Sequence, residues 1–71
     1  MLDEKEQSTY AAGAAAALRV MGSTPRDDVL RMLRRLDLTE IDAAGVIAYG
    51  IAQGMLAEDA GRCVTATGPK R

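Results

Sequence analysis

Apolar residues recur every three or four positions in three successive segments of the chain, which is the spacing of one face of an α-helix. We therefore predict helices at about residues 5–21, 25–36 and 39–54. The alanine-rich middle of the first helix has high helix propensity, and Gly22 follows as a C-terminal cap. Its apolar face is predicted to contain Tyr10, Ala14, Leu18 and Met21.

The second helix has clear start signals. Thr24 is predicted to be the N-cap and Pro25 the first helical residue, with acidic residues in the first turn. Val29, Leu30, Leu33 and Leu36 form its predicted buried face. The opposite face contains Arg31, Arg34 and Arg35.

The third helix is apolar on almost every side. Thr39 is its predicted N-cap, and the only polar residues between Ile41 and Leu56 are Asp42 and Gln53. Such a helix is either buried on several sides or part of an interface. Its predicted core face is Ile41, Ala44, Ala48, Ile51 and Met55, which leaves Val46, Ile47 and Tyr49 as apolar surface on other sides.

A β-hairpin is predicted at about residues 55–67, with Asp59 and Gly61 in its turn and β-branched residues in its second strand. Residues 68–71 are predicted to be a flexible tail. The expected fold class is therefore mainly α, with three helices followed by a short C-terminal β-hairpin, in one domain spanning residues 1–71.

The C-terminal part resembles a winged helix-turn-helix domain over residues 26–68. Winged helices of common bacterial regulators end the third helix with a glycine and two apolar residues, as in Gly54-Met55-Leu56. They continue with an acidic-glycine turn, a short strand and a Thr-x-x-Gly segment, which Thr65-Ala66-Thr67-Gly68 matches. This resemblance implies a winged-helix-like fold and a third helix that reads the major groove of DNA.

One feature departs from that family. A helix that reads DNA presents basic or amide side chains to bases and phosphates. The third helix here has no Lys or Arg and begins with Glu40 and Asp42, which phosphates would repel. We therefore expect this helix to contact protein rather than DNA.

Composition limits the chemistry further. The 71 residues carry a net charge of −1, with no histidine and only Cys63 as cysteine. No ordinary zinc site and no histidine-dependent nucleophile can be assembled, so we expect no enzyme activity, no metal and no cofactor. The acidic N-terminus is unlike a signal peptide, and no segment is long enough to cross a membrane, which favours a cytoplasmic protein.

The leading hypothesis is a small interaction module that binds a protein partner through the third helix, such as an adaptor or an anti-CRISPR-like inhibitor from a phage or mobile element. A homodimer is also left open. The alternative is a dimeric winged-helix DNA-binding regulator that uses Arg31, Arg34, Arg35 and Arg62. The predicted protein-binding residues are Glu40, Asp42, Val46, Tyr49 and Gln53.

Overall fold

The computed structural model describes residues 2–67, which form three helices and a small three-stranded antiparallel sheet. The predicted fold class is confirmed, and the predicted tail lies outside the described residues. In chain order the elements are α1 (Glu4–Met21), β1 (Thr24–Pro25), α2 (Arg26–Arg34), α3 (Glu40–Ala52), β2 (Leu56–Glu58) and β3 (Cys63–Ala66).

Helix α1 begins with a capping box. The Asp3 carboxylate accepts a hydrogen bond from the Glu6 N–H at 2.8 Å, and the Glu6 carboxylate accepts one from the Asp3 N–H at 3.2 Å. At the other end Gly22 has a φ of 80° and donates its N–H to the Leu18 carbonyl at 2.7 Å. The chain leaves the helix there because glycine adopts positive φ without a steric penalty.

The predicted start of α2 is wrong. Pro25 is the N-cap rather than the first helical residue, and no side chain caps the helix. Thr24 instead pairs with Val64 in β1, and its hydroxyl donates to the Gly22 carbonyl at 3.0 Å. A two-residue strand has no period of its own, so only pairing with a distant strand creates it.

The sheet places β3 between β1 and β2. Leu56 pairs with Ala66 and Glu58 with Val64 in the hairpin. The Asp59 carboxylate accepts hydrogen bonds from Gly61 and Cys63 and so closes the turn. The turn residue with left-handed φ is Arg62, at 62°, rather than the glycine.

The core lies where α1, α2 and α3 meet the sheet. Helix α1 contributes mostly alanine, so α3 packs close to it. The fully or almost fully buried apolar residues are Ala11, Ala14, Ala15, Leu18, Val29, Leu33, Leu38, Ala43, Val46, Ile47, Leu56 and Val64.

Candidate functional site

Helix α3 is held at its start by a confirmed N-cap. The Thr39 hydroxyl accepts a hydrogen bond from the Asp42 N–H at 3.1 Å. Glu40 and Asp42 occupy the first turn, where the positive end of the helix dipole favours acidic side chains. These two residues therefore stabilise the start of α3.

The buried face of α3 is not the face that the sequence predicted. Its buried residues are Ala43, Val46, Ile47 and Gly50, which follow the i, i+3, i+4, i+7 spacing of a single helix face. Ile41, assigned to the core, is 78% exposed, and Ala48 is exposed as well. This helix has two apolar faces that could be buried, and no polar residue in its middle shows which of them faces solvent.

Gly50 shows how the buried face was selected. A Cβ atom at this position would lie 2.6 Å from Leu56 Cδ1 and 2.9 Å from its Cγ. The Leu56 side chain therefore occupies the space left by the missing side chain, and β2 packs directly on the α3 backbone. This close approach anchors the hairpin to the helix.

This packing turns the other apolar side of α3 outwards. We call Ile41, Ala48, Ile51 and Ala52 the outer face of α3, and all four are exposed. No residue from 43 to 52 carries a charge. The outer face is therefore apolar and uncharged, and Ile41 is its most exposed large side chain.

The structure corrects one predicted protein-binding residue and repositions the others. Val46 is 0% exposed, so it supports the core and cannot contact a partner. Glu40 and Gln53 are exposed at opposite ends of the helix. Asp42 and Tyr49 are half-buried and lie seven residues apart on one flank of the outer face, where Tyr49 packs against the core.

Sequence reasoning missed Ile41 and Ile51 as exposed residues. The available signal was Gly50, because a glycine inside a helix often marks the close approach of another segment. Centring the buried face on Gly50 would have placed Val46 and Ile47 inside and Ile41 outside.

The predicted nucleic-acid-binding arginines line three surface clefts. Arg31 and Arg34 line a surface cleft of about 240 Å³ together with Asp27 and Glu40. Arg31 also lines a second cleft, together with Arg35 and Met21.

Arg62 lies with Arg26 at a third cleft, next to the hairpin turn. Two of the neighbouring bases are paired with acids: Arg31 lies 3.2 Å from Asp28, and Arg26 lies 3.5 Å from Glu58. Acidic side chains thus interrupt the basic surface at several points.

Within residues 2–67, no cluster of three His, Cys, Asp or Glu side chains could hold a metal ion. In the same part of the chain, no helix is both long and apolar enough to cross a membrane. Cys63 is half-buried, with its Sγ 3.9 Å from the Gly61 carbonyl oxygen.

Comparison with known proteins adds no assignment: no protein-family model matches the chain, and neither a curated protein nor a solved structure matches it. The functional argument therefore depends on the geometry of the molecule.

Proposed function

We propose that this chain is a small non-enzymatic docking module that binds a protein partner through the outer face of α3. The observation that carries this proposal is the exposed, uncharged apolar surface of Ile41, Ala48, Ile51 and Ala52. The centre of a protein–protein interface is depleted of charge and enriched in apolar groups, and this surface has both properties.

Polar residues around the outer face fit the rim of such an interface. Glu40 stands exposed at the start of α3 and Gln53 at its end, while Asp42 and Tyr49 follow one flank. Rim residues of this kind set orientation and association rate more than affinity. The expected partner therefore offers an apolar groove with basic groups near the position of Glu40 and Asp42.

The order of the elements supports the resemblance to a winged helix-turn-helix domain. Two helices precede α3 and an antiparallel hairpin follows it, with β1 added to the sheet. In that fold α3 would take the position of the DNA-reading helix. Neutralisation of phosphates by Lys and Arg supplies most non-specific DNA affinity. A helix without Lys or Arg lacks this contribution. We therefore propose that the winged-helix surface serves protein recognition here, as in an adaptor or an inhibitor.

A DNA-binding regulator is the second candidate, because basic side chains lie on elements other than α3. Arg26 and Arg62 meet beside the hairpin turn, and Arg31 and Arg34 share a cleft on α2. Such a protein would hold the phosphate backbone with these residues and would bind DNA more weakly as salt concentration rises.

The substitution Ala48→Arg should weaken protein docking if the first candidate is right and strengthen DNA binding if α3 faces DNA. Ala48→Arg introduces a long cation into the middle of the outer face. Protein docking should be lost, because the charge would be buried without a partner. Duplex affinity should rise if α3 faces DNA, because a new phosphate contact is gained. The matched control is Ala12→Arg, since Ala12 is an exposed alanine in the middle of α1.

Two measurements are needed. The first compares the proteins that each immobilised variant retains from a lysate of the source cells. The second is a salt titration of binding to a labelled DNA duplex. A protein retained by the wild type and Ala12→Arg but lost with Ala48→Arg supports the docking module. Tight duplex binding by the wild type that strengthens in Ala48→Arg contradicts it.

A further inference from the structure

An apolar groove runs between α1 and α2, on residues that the proposed docking face does not use. Its volume is about 230 Å³, and it is lined chiefly by Tyr10, Gly13, Ala17, Met32 and Leu36. Leu36 is 54% exposed at its edge. The Thr9 hydroxyl, also in the lining, already donates to the Lys5 carbonyl at 3.0 Å. An occupant would therefore meet an almost purely apolar surface.

Within residues 2–67, no contact requires Gly13 of this groove to be a glycine. It lies near the middle of α1, is exposed, and a Cβ atom there would meet nothing within 4 Å. Glycine destabilises a helix interior relative to alanine because it has more conformational freedom to lose. No internal contact requires that loss. The use that remains is the close approach of an outside helix, which small residues permit.

The charges around the groove suggest what that outside helix is. The N-terminal end of α1 carries the exposed acids Asp3, Glu4 and Glu6 and one exposed base, Lys5. Near the other end of α1, Arg35, which directly follows α2, lies in a cleft with Arg31, Asp28 and Met21. The net charge beside the groove is therefore negative near the start of α1 and positive near its end.

A surface with this polarity is complementary to itself. If two copies cross antiparallel about a two-fold axis near Gly13, the acidic end of each meets the basic end of the other. The helix dipoles of the two α1 segments then also oppose each other favourably. A different protein would need this charge pattern independently, whereas a second copy provides it by symmetry.

The geometry points to a homodimer in which the α1–α2 groove of one copy receives the α1 helix and Leu36 of the other, crossing at Gly13. The outer face of α3 stays outside this contact. The dimer would then present two docking faces, which strengthens binding to any partner with two matching sites. This inference is independent of the partner proposed for α3.

The first test is sedimentation velocity of the full chain from low to high micromolar concentration. The wild type should shift from monomer to dimer with rising concentration. Gly13→Glu should remain a monomer, because a charged side chain would replace the point of closest approach. Ala12→Glu, the same change at the neighbouring exposed residue, should dimerise like the wild type. Circular dichroism shows whether each variant keeps its helices.

A milder variant tests the close approach itself. Gly13→Ala adds only a methyl group and should raise the dimer dissociation constant about tenfold, in line with an overpacked contact. A methyl group in open space would leave association unchanged, which would contradict the helix crossing at this residue.

The third test concerns the charges. Arg35→Glu and Glu6→Arg should each weaken dimerisation, and the double variant should restore it. The capping contact of Glu6 is absent from both the Glu6→Arg variant and the double variant, so their difference isolates the charge pairing.

Three outcomes overturn the dimer: a wild type that stays monomeric at all concentrations, equal effects of Gly13→Glu and Ala12→Glu, or no recovery in the double variant. Ala48→Arg serves as the reference for α3. A dimer that Ala48→Arg abolishes and Gly13→Glu spares would place self-association on the outer face of α3 instead.

Discussion

The middle of α1 and the middle of α3 each contain a glycine, yet their surroundings are opposite. At Gly50 the space of the missing side chain is filled by Leu56, and a Cβ atom would come within 2.6 Å of that side chain. At Gly13 the same space is empty to 4 Å. The first glycine therefore serves the fold, whereas the second lowers stability unless something outside the chain uses it.

The difference shows that the sequence of an apolar helix rich in small residues does not determine which side of the helix is buried. Both α1 and α3 have apolar residues on more than one side, so close contact with another segment decides which side is buried. For α3 that contact is Leu56 on Gly50, and it leaves Ile41 in solvent. Substitutions at and around the two glycines test this account.

The largest effect is expected from Leu56→Ala. Leu56 is 2% exposed, and the substitution removes the side chain that fills the space over Gly50. We expect the free energy of unfolding to fall by about 2–5 kcal/mol, as for other buried leucines. Urea unfolding followed by circular dichroism measures it. Leu36→Ala, at an exposed leucine, is the matched control, and an equal loss there would contradict the packing of β2 on α3.

Gly50→Ala should have the next largest effect on the free energy of unfolding. The added methyl group collides with Leu56, and the overpacking outweighs the gain in helix propensity. We expect a net loss of about 1 kcal/mol in the free energy of unfolding. In the Leu56→Ala background the collision is gone, so the same substitution should become stabilising. A double-mutant cycle measures this reversal. Additive effects would mean that the two residues do not compete for space.

Gly13→Ala should have the opposite effect and increase the free energy of unfolding. Its methyl group meets nothing within 4 Å in the part of the chain that the structure describes, so only the helix propensity changes. We expect a gain of about 0.5–1 kcal/mol in the free energy of unfolding. The measurement belongs at the lowest practical protein concentration, where association does not contribute to apparent stability. A loss of stability there would reveal an internal role for Gly13.

The smallest effect is expected from Ile41→Ser on the outer face of α3. This side chain is 78% exposed, so the free energy of unfolding should change by no more than about 0.5 kcal/mol. The same substitution at buried Ile47 should cost far more, because it opens a cavity and buries a hydroxyl. Similar losses in thermal or urea unfolding would show that the two sides of α3 are not distinguished by burial.

Local chemistry was readable wherever a few neighbouring residues decide the structure. The Thr39 N-cap is confirmed by its hydrogen bond from Asp42, and the hairpin forms close to the predicted residues. The predicted start of α2 is wrong, because a contact from outside the segment changes its structure. Thr24 and Pro25 have the chemistry of a helix start, but pairing with β3 draws them into a strand. A local pattern cannot register a competitor from another part of the chain.

The candidate site was predictable only to the level of the element. That the third helix contains no Lys or Arg follows from composition alone. The residues that face outwards did not follow, because Val46 and Ile41 are equally apolar. Their separation into a buried and an exposed residue depends on where Leu56 packs.

The sequence by itself determined three helices, their approximate bounds, the hairpin and the chemistry that the chain lacks. Helix propensity, capping groups and turn residues act over a few positions, so they can be read one segment at a time. The tertiary structure alone decided the strand β1, the buried face of α3 and the groove around Gly13. Each of these depends on contacts between segments distant in the chain, and an apolar helix without polar residues to orient it accepts whichever face packs most closely.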